Sequence, residues 1–487
     1  MIIAITFTNY HTMSIAIVWF RQDLRLSDNP AFASACNEHE VVIPIFIFDK
    51  ETSVLGSAQK WWLHYSLNEL ANSLADWGLP FVLRAGNPFD ILMGLIQESR
   101  ADAVYWNRCY EPNAIRRDTN IKTALLEQGI AVHSTNGSLL NEPWCIKNQS
   151  GDYFKVFTPF WKQCLKTLAI PKPFTISNHP QKLELHSDVL DDWNLLPKKP
   201  NWAFNFSNYW QPGEKGAQEK LKHFIQNKLK RYKTHRDVPI EDATSKLSPH
   251  LHFGEISPWE IVRNLELIKV EEQSNLNAID CFLSELGWRE FSYHLLYHFP
   301  NLAKDSFREE FDLFPWHSDE NLLQYWYQGK TGYPLVDAGM RELWSTGYMH
   351  NRVRMIVASF LTKDLFLDWR LGADWFLDTL VDADLANNSA SWQWVAGCGA
   401  DAAPYFRIFN PILQSEKFDP NGDYIRQWVP ELSKVGPKYI HQPWLGSFSQ
   451  TGITIGKDYP APIVDHNDAR KTALKYYDQI KHHRFNE

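Results

Sequence analysis

Five short apolar runs in the first third of the chain, at 16–20, 41–48, 81–83, 103–106 and 130–132, constrain its fold more than any other feature. Each is rich in β-branched or aromatic residues and too short to make a buried helix. Helical stretches lie between them, as at 57–77, where Trp61, Leu63, Leu67, Leu70 and Leu74 recur at helical spacing. Strand alternating with helix predicts an α/β domain with a five-stranded parallel sheet and right-handed crossovers. The turn after the first run reads Phe20-Arg21-Gln22-Asp23, with no G-x-G-x-x-G, so an ordinary dinucleotide site is not expected there.

The pattern then loosens. Pro171, Pro173, Pro180, Pro197, Pro200 and Pro212 fall within 150–213, which reads as a connector wrapped on the surface. Beyond Glu214 the chain is helical, and Met349, Val353, Ile356, Val357, Phe360 and Leu361 form one apolar stripe. The expected organisation is an α/β domain at 13–149, the connector at 150–213 and a large all-helical domain at 214–487. Residues 1–12 are apolar but lack a basic start, and Asn9, Tyr10 and His11 interrupt them. They read as a non-native or disordered extension ahead of Met13 rather than a signal peptide. No run reaches the roughly 18 apolar residues of a membrane span.

Charge narrows the partners. The 49 Lys and Arg against 57 Asp and Glu give −8, which excludes an evenly basic nucleic-acid coat, so phosphate binding must use a local patch. The 21 Trp against 6 Met exceed what packing asks for, and stacking on planar ligands or relaying electrons would each account for them. The six cysteines show no C-x-x-C pair, which fits reduced thiols in a cytoplasmic chain better than disulfides or zinc. Two motifs mislead. Gly329-Lys330-Thr331 looks like the end of a phosphate loop, but position 324 is Gln where Gly is needed. His250 and His252 have no partner at ligand spacing, so no metal is expected.

Four stretches carry candidate chemistry. The basic run Lys228, Lys230, Arg231, Lys233, Arg236 leads into Asp242-Ala243-Thr244-Ser245-Lys246-Leu247-Ser248, a hydroxyl-rich turn before a helix. Such a turn can seat a pyrophosphate, and helix capping fits the same residues. Glu285, Trp288, Arg289 and Ser292 share one helical face, a set able to read a base edge, stack on it and hold a phosphate. A second helix puts Asn351 and Met355 on one face, with Arg352 and Arg354 flanking. The run from Asp382 to Trp394 packs two acids, two amides and two indoles into thirteen residues, which suits a polar, planar ligand.

At these residues the sequence resembles the photolyase/cryptochrome family from about Ser14 onward. The opening Trp19-Phe20-Arg21-Gln22-Asp23-Leu24-Arg25-Leu26 is similar to the family's N-terminal signature. Lys330-Thr331-Gly332-Tyr333-Pro334, Tyr348-Met349-His350-Asn351-Arg352 and Asp401-Ala402-Ala403-Pro404-Tyr405-Phe406-Arg407 are similar to its flavin domain. The resemblance implies an α/β antenna domain and a helical domain holding a U-shaped FAD. By resemblance, Tyr232 and Thr244, Ser245, Lys246, Leu247 and Ser248 seat the FAD diphosphate. Asp382, Ala383 and Asp384 bind the flavin side, Arg354 pairs with Asp382, and Asn388 faces flavin N5, as in photolyases.

The family's (6-4) enzymes carry a histidine pair where this chain has Asn351 and Met355, so the resemblance is to the enzymes that repair cyclobutane pyrimidine dimers (CPDs). Within these, 286–300 and 375–406 look most like the bacterial class III branch. A dimer in UV-damaged DNA is flipped out of the duplex, excited FADH⁻ donates an electron, the ring splits and the electron returns. Trp288 and Trp394 would stack on the dimer, Glu285 and Asn351 would bond its edges, and Met355 would pack against it. Arg236, Arg289, Arg352 and Arg407 are the candidates for phosphate contacts. Trp392, Trp369 and Trp316 would form the photoreduction chain. The antenna departs from the folate-binding pattern, with Asn113-Ala114 where a carboxylate is expected, while Lys60-Trp61-Trp62-Leu63 resembles the class III stretch. Methenyltetrahydrofolate is therefore expected at Trp61, Trp62 and Asn113, ahead of a deazaflavin or FMN. A cryptochrome-type photoreceptor without repair activity and a (6-4) photolyase are the alternatives. A monomer is expected, and DNA strandedness stays open.

Overall fold

The computed structural model describes residues 13–271, 276–401 and 407–483. The expected extension at 1–12 and most of the Asp401–Arg407 motif lie outside the described residues. Five strands form one parallel sheet: β1 (Ile15–Phe20), β2 (Val41–Phe48), β3 (Val82–Ala85), β4 (Ala103–Asn107) and β5 (Ala131–Thr135), in the order β3-β2-β1-β4-β5. The register runs from Ile15 opposite Val41 to Phe20 opposite Phe46. Successive side chains point to opposite faces, and both faces are covered. Ala16, Val18 and Phe20 pack with Phe32 and with Trp61, Leu67, Leu70 and Leu74 of the Ser57–Asp76 helix. Ile17 and Trp19 pack on the other side with Leu92, Leu95, Ile121 and Leu125. Asn29 and Asn87 cap the helices that follow by accepting from Phe32 and Phe89 N–H, with proline in the first turn of each.

The opening signature is a clamp between domains. Arg25, 1% exposed, donates to the carbonyls of Gly254, Asp28 and Gly137 at 2.8–2.9 Å. Leu24 N–H donates to Phe253 O at 3.0 Å, and Glu214 accepts from Leu26 and Ser27 N–H. From the Ser57–Asp76 helix, Gln59 Nε2 donates to Ala383 O at 2.8 Å and the Trp62 indole donates to Glu255 at 2.8 Å. An α/β domain is thereby bonded side chain to backbone with the loop at 382–384.

The connector is not confined to the surface. Its Phe157–Thr167 helix buries Phe160 and Cys164. Phe160 lies 5.1 Å from Phe291 of the long Leu276–His298 helix. Gln181 pairs with Val41 at the sheet, and Phe206 and Trp210 enter the core beneath it. Prolines made the segment look irregular, but its aromatic residues are what pack. The Thr331 turn is structural, since Thr331 and Gly332 N–H both donate to Asp337. His250 lies fully buried against Glu255 at 2.5 Å.

Candidate functional site: a flavin-sized cavity walled by four segments

A cavity of about 340 Å³ opens among the helices. Tyr232, Thr244, Ser245, Lys246, Leu247 and Ser248 form one wall. Arg354, Asp382, Ala383, Asp384 and Asn388 line the cavity as well, with Trp392. Arg236, Glu285, Trp288, Arg289, Asn351 and Met355 line the same space. Arg352, Trp394, Arg407, Trp369 and Trp316 are not among its lining residues.

The flavin wall is built by charge and capping. Arg354 Nη2 donates to both oxygens of Asp382 at 3.0 and 2.9 Å, the pairing expected from resemblance, and Ser248 Oγ donates to Asp382 at 2.6 Å. Lys246 stands at φ 54°, a left-handed conformation rare outside glycine and found where a backbone is bent to a task. Asp242 beside it is desolvated, yet Lys228 at 2.7 Å and Lys246 at 3.3 Å hold its carboxyl below the usual range. The Asn388 amide donates to Ala373 O at 3.0 Å, an anchor that leaves its side-chain oxygen as the acceptor.

Asp384 lines the cavity and also carries a structural load. It caps the Leu385–Ala396 helix, with one oxygen accepting from Asn387 N–H and the Asn387 amide, each at 2.8 Å. Its other oxygen accepts from Tyr293 OH at 2.5 Å and from His252 Nδ1 at 3.2 Å. Burial alone would raise this carboxyl, but the contacts with His252, Tyr293 and Asn387 hold it well below the usual range. Asp384 therefore positions the helix that carries Asn388 and Trp392, and its oxygens are already engaged.

On the opposite side Glu285 accepts from Arg236, whose guanidinium also lies 3.4 Å from Cys281 Sγ. Trp288 is 37% exposed and stacks on Phe157 with centroids 3.8 Å apart and planes 7° from parallel. Three expected phosphate ligands have partners in the fold. Arg236 has Glu285, and Arg352 pairs with Asp237 at 3.0 Å over the Phe418 ring. Arg289 turns inward, donating to Ser138 O at 2.8 Å and Glu290 at 3.1 Å with its side chain 11% exposed. Helical spacing puts Arg289 on the face of Glu285 and both line the cavity, while one partner that draws Arg289 inward, Ser138, comes from a distant segment and the other, Glu290, is its chain neighbour. Arg407 lies 5.8 Å from the Trp394 ring, and its carbonyl accepts from Lys363.

The helix Asn351–Ser359 presents Asn351 and Met355, and His350 caps it by accepting from Arg352 N–H at 3.2 Å. Burial lowers the His350 imidazole to about 4, with Asp237 opposing. An unfolded histidine titrates near ~6.5. Between these values the unfolded chain takes up a proton that the folded chain refuses, so this group's stability contribution is lost as pH falls from 6.5 towards 4. Protonation also turns the capping nitrogen into a donor. Glu290, raised to about 7 by burial, acts with the opposite sign, losing stability as pH rises. The thermal midpoint of the wild type is therefore expected to fall relative to His350→Asn, a non-titrating cap, as pH is lowered through this window. A constant difference between the two profiles would remove the imidazole as the cause.

The expected tryptophan chain falls within one core. Trp369 and Trp392 are 1% and 2% exposed, and Trp316 packs against the same cluster beside Phe314. The ring neighbours of Trp392 are Phe376 at 5.0 Å and Trp326 at 6.2 Å. From Trp326 close rings continue through Tyr327 (5.7 Å), Trp375 (4.0 Å) and Trp344 (6.1 Å), which is 52% exposed.

The antenna residues need correction. Trp62 is 0% exposed, bonded to Glu255 and packed by Trp61, Trp210, His250 and Phe253. Trp61, 4% exposed, is enclosed by Tyr65 and Phe206. These indoles belong to the core under the sheet, and Asn113 is exposed and bonded to Arg116. In open α/β sheets ligands favour the crevice where strand order reverses, here between the carboxyl ends of β1 and β4. That crevice holds Arg21 against Asp118 at 2.5 Å, with Arg117 bridging Asp49, Glu51 and Asp118 at 2.7–2.9 Å.

Among the described residues no group of three or more His, Cys, Asp or Glu side chains could hold a metal, and no helix is long and apolar enough to cross a membrane. The cavity fits a flavin dinucleotide on its own chemistry. It has a hydroxyl-lined turn at one wall, a guanidinium–carboxylate pair, an amide oxygen, and a buried Trp392 indole N–H that finds no acceptor in the protein.

Comparison with known proteins agrees. Residues 282–479 match a family described as the FAD binding domain of DNA photolyase, and 16–179 match one described as DNA photolyase. A deoxyribodipyrimidine photo-lyase of Agrobacterium fabrum is 49% identical over 476 residues, 96% of this chain and 98% of its own length. The crystal structure of a bacterial class III photolyase from Agrobacterium tumefaciens superposes with a TM-score of 0.94 at 49% identity, covering 98% of this chain and 99% of that one. Cryptochrome-2 of Arabidopsis thaliana is 38% identical over 478 residues, 94% of this chain and 78% of its own length. A five-stranded α/β domain, a helical domain with a flavin-sized cavity and these matches agree: the chain belongs to the photolyase/cryptochrome family.

Proposed function

We propose that this protein is a deoxyribodipyrimidine photo-lyase that repairs cyclobutane pyrimidine dimers in UV-damaged DNA under blue light. The observation that carries this is that two chemically distinct sets of side chains line one cavity: Ser248, Arg354, Asp382 and Asn388, and Glu285, Trp288, Asn351 and Met355. The greater identity to a photo-lyase than to a plant cryptochrome favours repair over signalling. When bound, reduced FAD supplies the electron that opens the cyclobutane ring.

The protein's own groups hold and orient. Tyr232 and the 244–248 turn hold the diphosphate. The Arg354–Asp382 pair and Asn388 would hold the isoalloxazine, the Asn388 side-chain oxygen offering it an acceptor. Trp288 stacks on the flipped dimer together with Trp394, Glu285 and Asn351 bond its edges, and Met355 packs beside it. Arg236 orients the Glu285 carboxylate by donating to it, and Arg352 and Arg407 are the remaining candidates for phosphate contacts. Trp392 passes electrons inward during photoreduction, with Trp369 and Trp316 behind it. We assign 13–149 to the antenna domain, 150–213 to the connector and 214–487 to flavin and DNA binding, in a cytoplasmic, monomeric enzyme. For the antenna we favour methenyltetrahydrofolate. The crevice between β1 and β4 carries the Arg21–Asp118, Arg117–Asp49 and Arg117–Asp118 ion pairs, and the chromophore released by acid from purified protein identifies the antenna.

The test is dithionite-reduced protein with a CPD-containing duplex. Loss of the dimer only under illumination is expected, and Glu285→Ala should bind flavin normally yet repair poorly. Absence of repair with reduced flavin bound would favour a photoreceptor, and repair of a (6-4) oligonucleotide instead would move the substrate. Loss of flavin from Glu285→Ala would take that residue off the lesion side.

A further inference from the structure

One face of Trp288, whose side chain lines the cavity, is not open. Phe157, from the first turn of the connector helix, lies parallel to it at 3.8 Å and 7°, closer than any other aromatic pair around the cavity. Phe291 closes the triangle edge-on, 6.0 Å from each ring. Phe157 is itself tied down, since its N–H donates to Asp401 Oδ2 at 3.1 Å. Asp401 precedes the segment that leads to Arg407, beside Trp394. Phe160 beneath Phe157 packs on Phe291 and His294, so the support is part of the core and not a loose arm.

An indole that is 37% exposed keeps rotamer freedom unless something holds it. Stacking from below removes that freedom before a ligand arrives, which is how a binding surface avoids an ordering cost at the moment of association. We propose that Phe157 is a positioning residue for lesion recognition: it fixes the Trp288 ring so that one face alone is presented to a flipped pyrimidine dimer. This rests on the reading that Trp288 stacks on the lesion. Phe157 touches neither flavin nor lesion and acts through Trp288.

The test uses the flavin-loaded enzyme and a CPD-containing duplex, with affinity measured by anisotropy and repair per absorbed photon measured at saturating DNA. Phe157→Leu keeps apolar bulk and loses the parallel ring. Its affinity for the lesion is expected to fall about three- to tenfold, the range for one aromatic pair, with repair per photon and flavin content unchanged. Phe157→Tyr is expected to restore affinity. In a Trp288→Ala background Phe157→Leu should have no further effect. An equal loss in both backgrounds would show general packing and overturn the proposal, as would wild-type affinity in Phe157→Leu beside weakened binding in Trp288→Ala. If Trp288→Ala itself binds the lesion normally, the stacking role of Trp288 fails first, and the two failures are thereby told apart.

Discussion

Asp384→Ala is expected to lower stability by about 3–7 kcal/mol and to release most of the flavin. The carboxylate is 5% exposed and accepts four hydrogen bonds, from Asn387 N–H, the Asn387 amide, Tyr293 OH and His252. Loss of the helix cap alone costs about 1 kcal/mol. Leaving a buried phenol and a buried imidazole without their acceptor adds about 1–3 kcal/mol for each. The helix set free carries Asn388 and Trp392, so the cofactor wall loosens with it. A drop of about 10 °C in thermal midpoint is the expected scale, read together with the flavin-to-protein absorbance ratio. Asp384→Asn keeps one capping oxygen and should fall between the two. An alanine variant with full flavin and an unchanged midpoint would show that Asp384 holds nothing together.

Trp392→Phe is expected to abolish photoreduction of the oxidised flavin while leaving repair by chemically reduced enzyme intact. Among the expected chain residues it alone lines the cavity. Phenylalanine keeps the packing roughly but does not give up an electron as an indole does. The ring is held tightly: a Cβ at Gly372 would lie 2.1 Å from Trp392 Cη2. Gly372→Ala should therefore displace the indole and slow photoreduction without removing it. Because rings also lead from Trp392 through Trp326, Tyr327 and Trp375 to Trp344, Trp369→Phe should slow the process without stopping it. Millisecond-to-second flavin absorbance under blue light reads all three variants, and unchanged photoreduction in Trp392→Phe would sink the assignment.

Local periodicity located the strands well: the run at 41–48 is β2, and the others agree within a few residues. Residues of the flavin wall were also legible, because Asp382 to Trp394 is one continuous polar-aromatic stretch of a single helix and its approach. Less was legible where the partner lies far along the chain. Arg289 meets Ser138, 151 residues away, and Trp62 meets Glu255, 193 away. No spacing rule reaches that far, so the burial of these two side chains was not visible in the sequence. The connector misled by composition, since its prolines hid a helix whose Phe157 and Phe160 support the cavity mouth. Asp384 is intermediate, for the D-x-x-N capping pattern with Asn387 was visible and its bonds to Tyr293 and His252 were not.

The bond from Gln59 to the Ala383 carbonyl has a practical consequence for grafting. The same amide reaches His252 Nε2 at 3.0 Å, and His252 in turn donates to Asp384. A side chain of the α/β domain thus sets the tautomer of an imidazole in the helical domain. Chimeras that exchange the first half between relatives will inherit or lose this amide along with the sheet. Where the donor sequence lacks it, the flavin loop will have to find a substitute for two hydrogen bonds, so colour and cofactor retention are expected to change together in such hybrids.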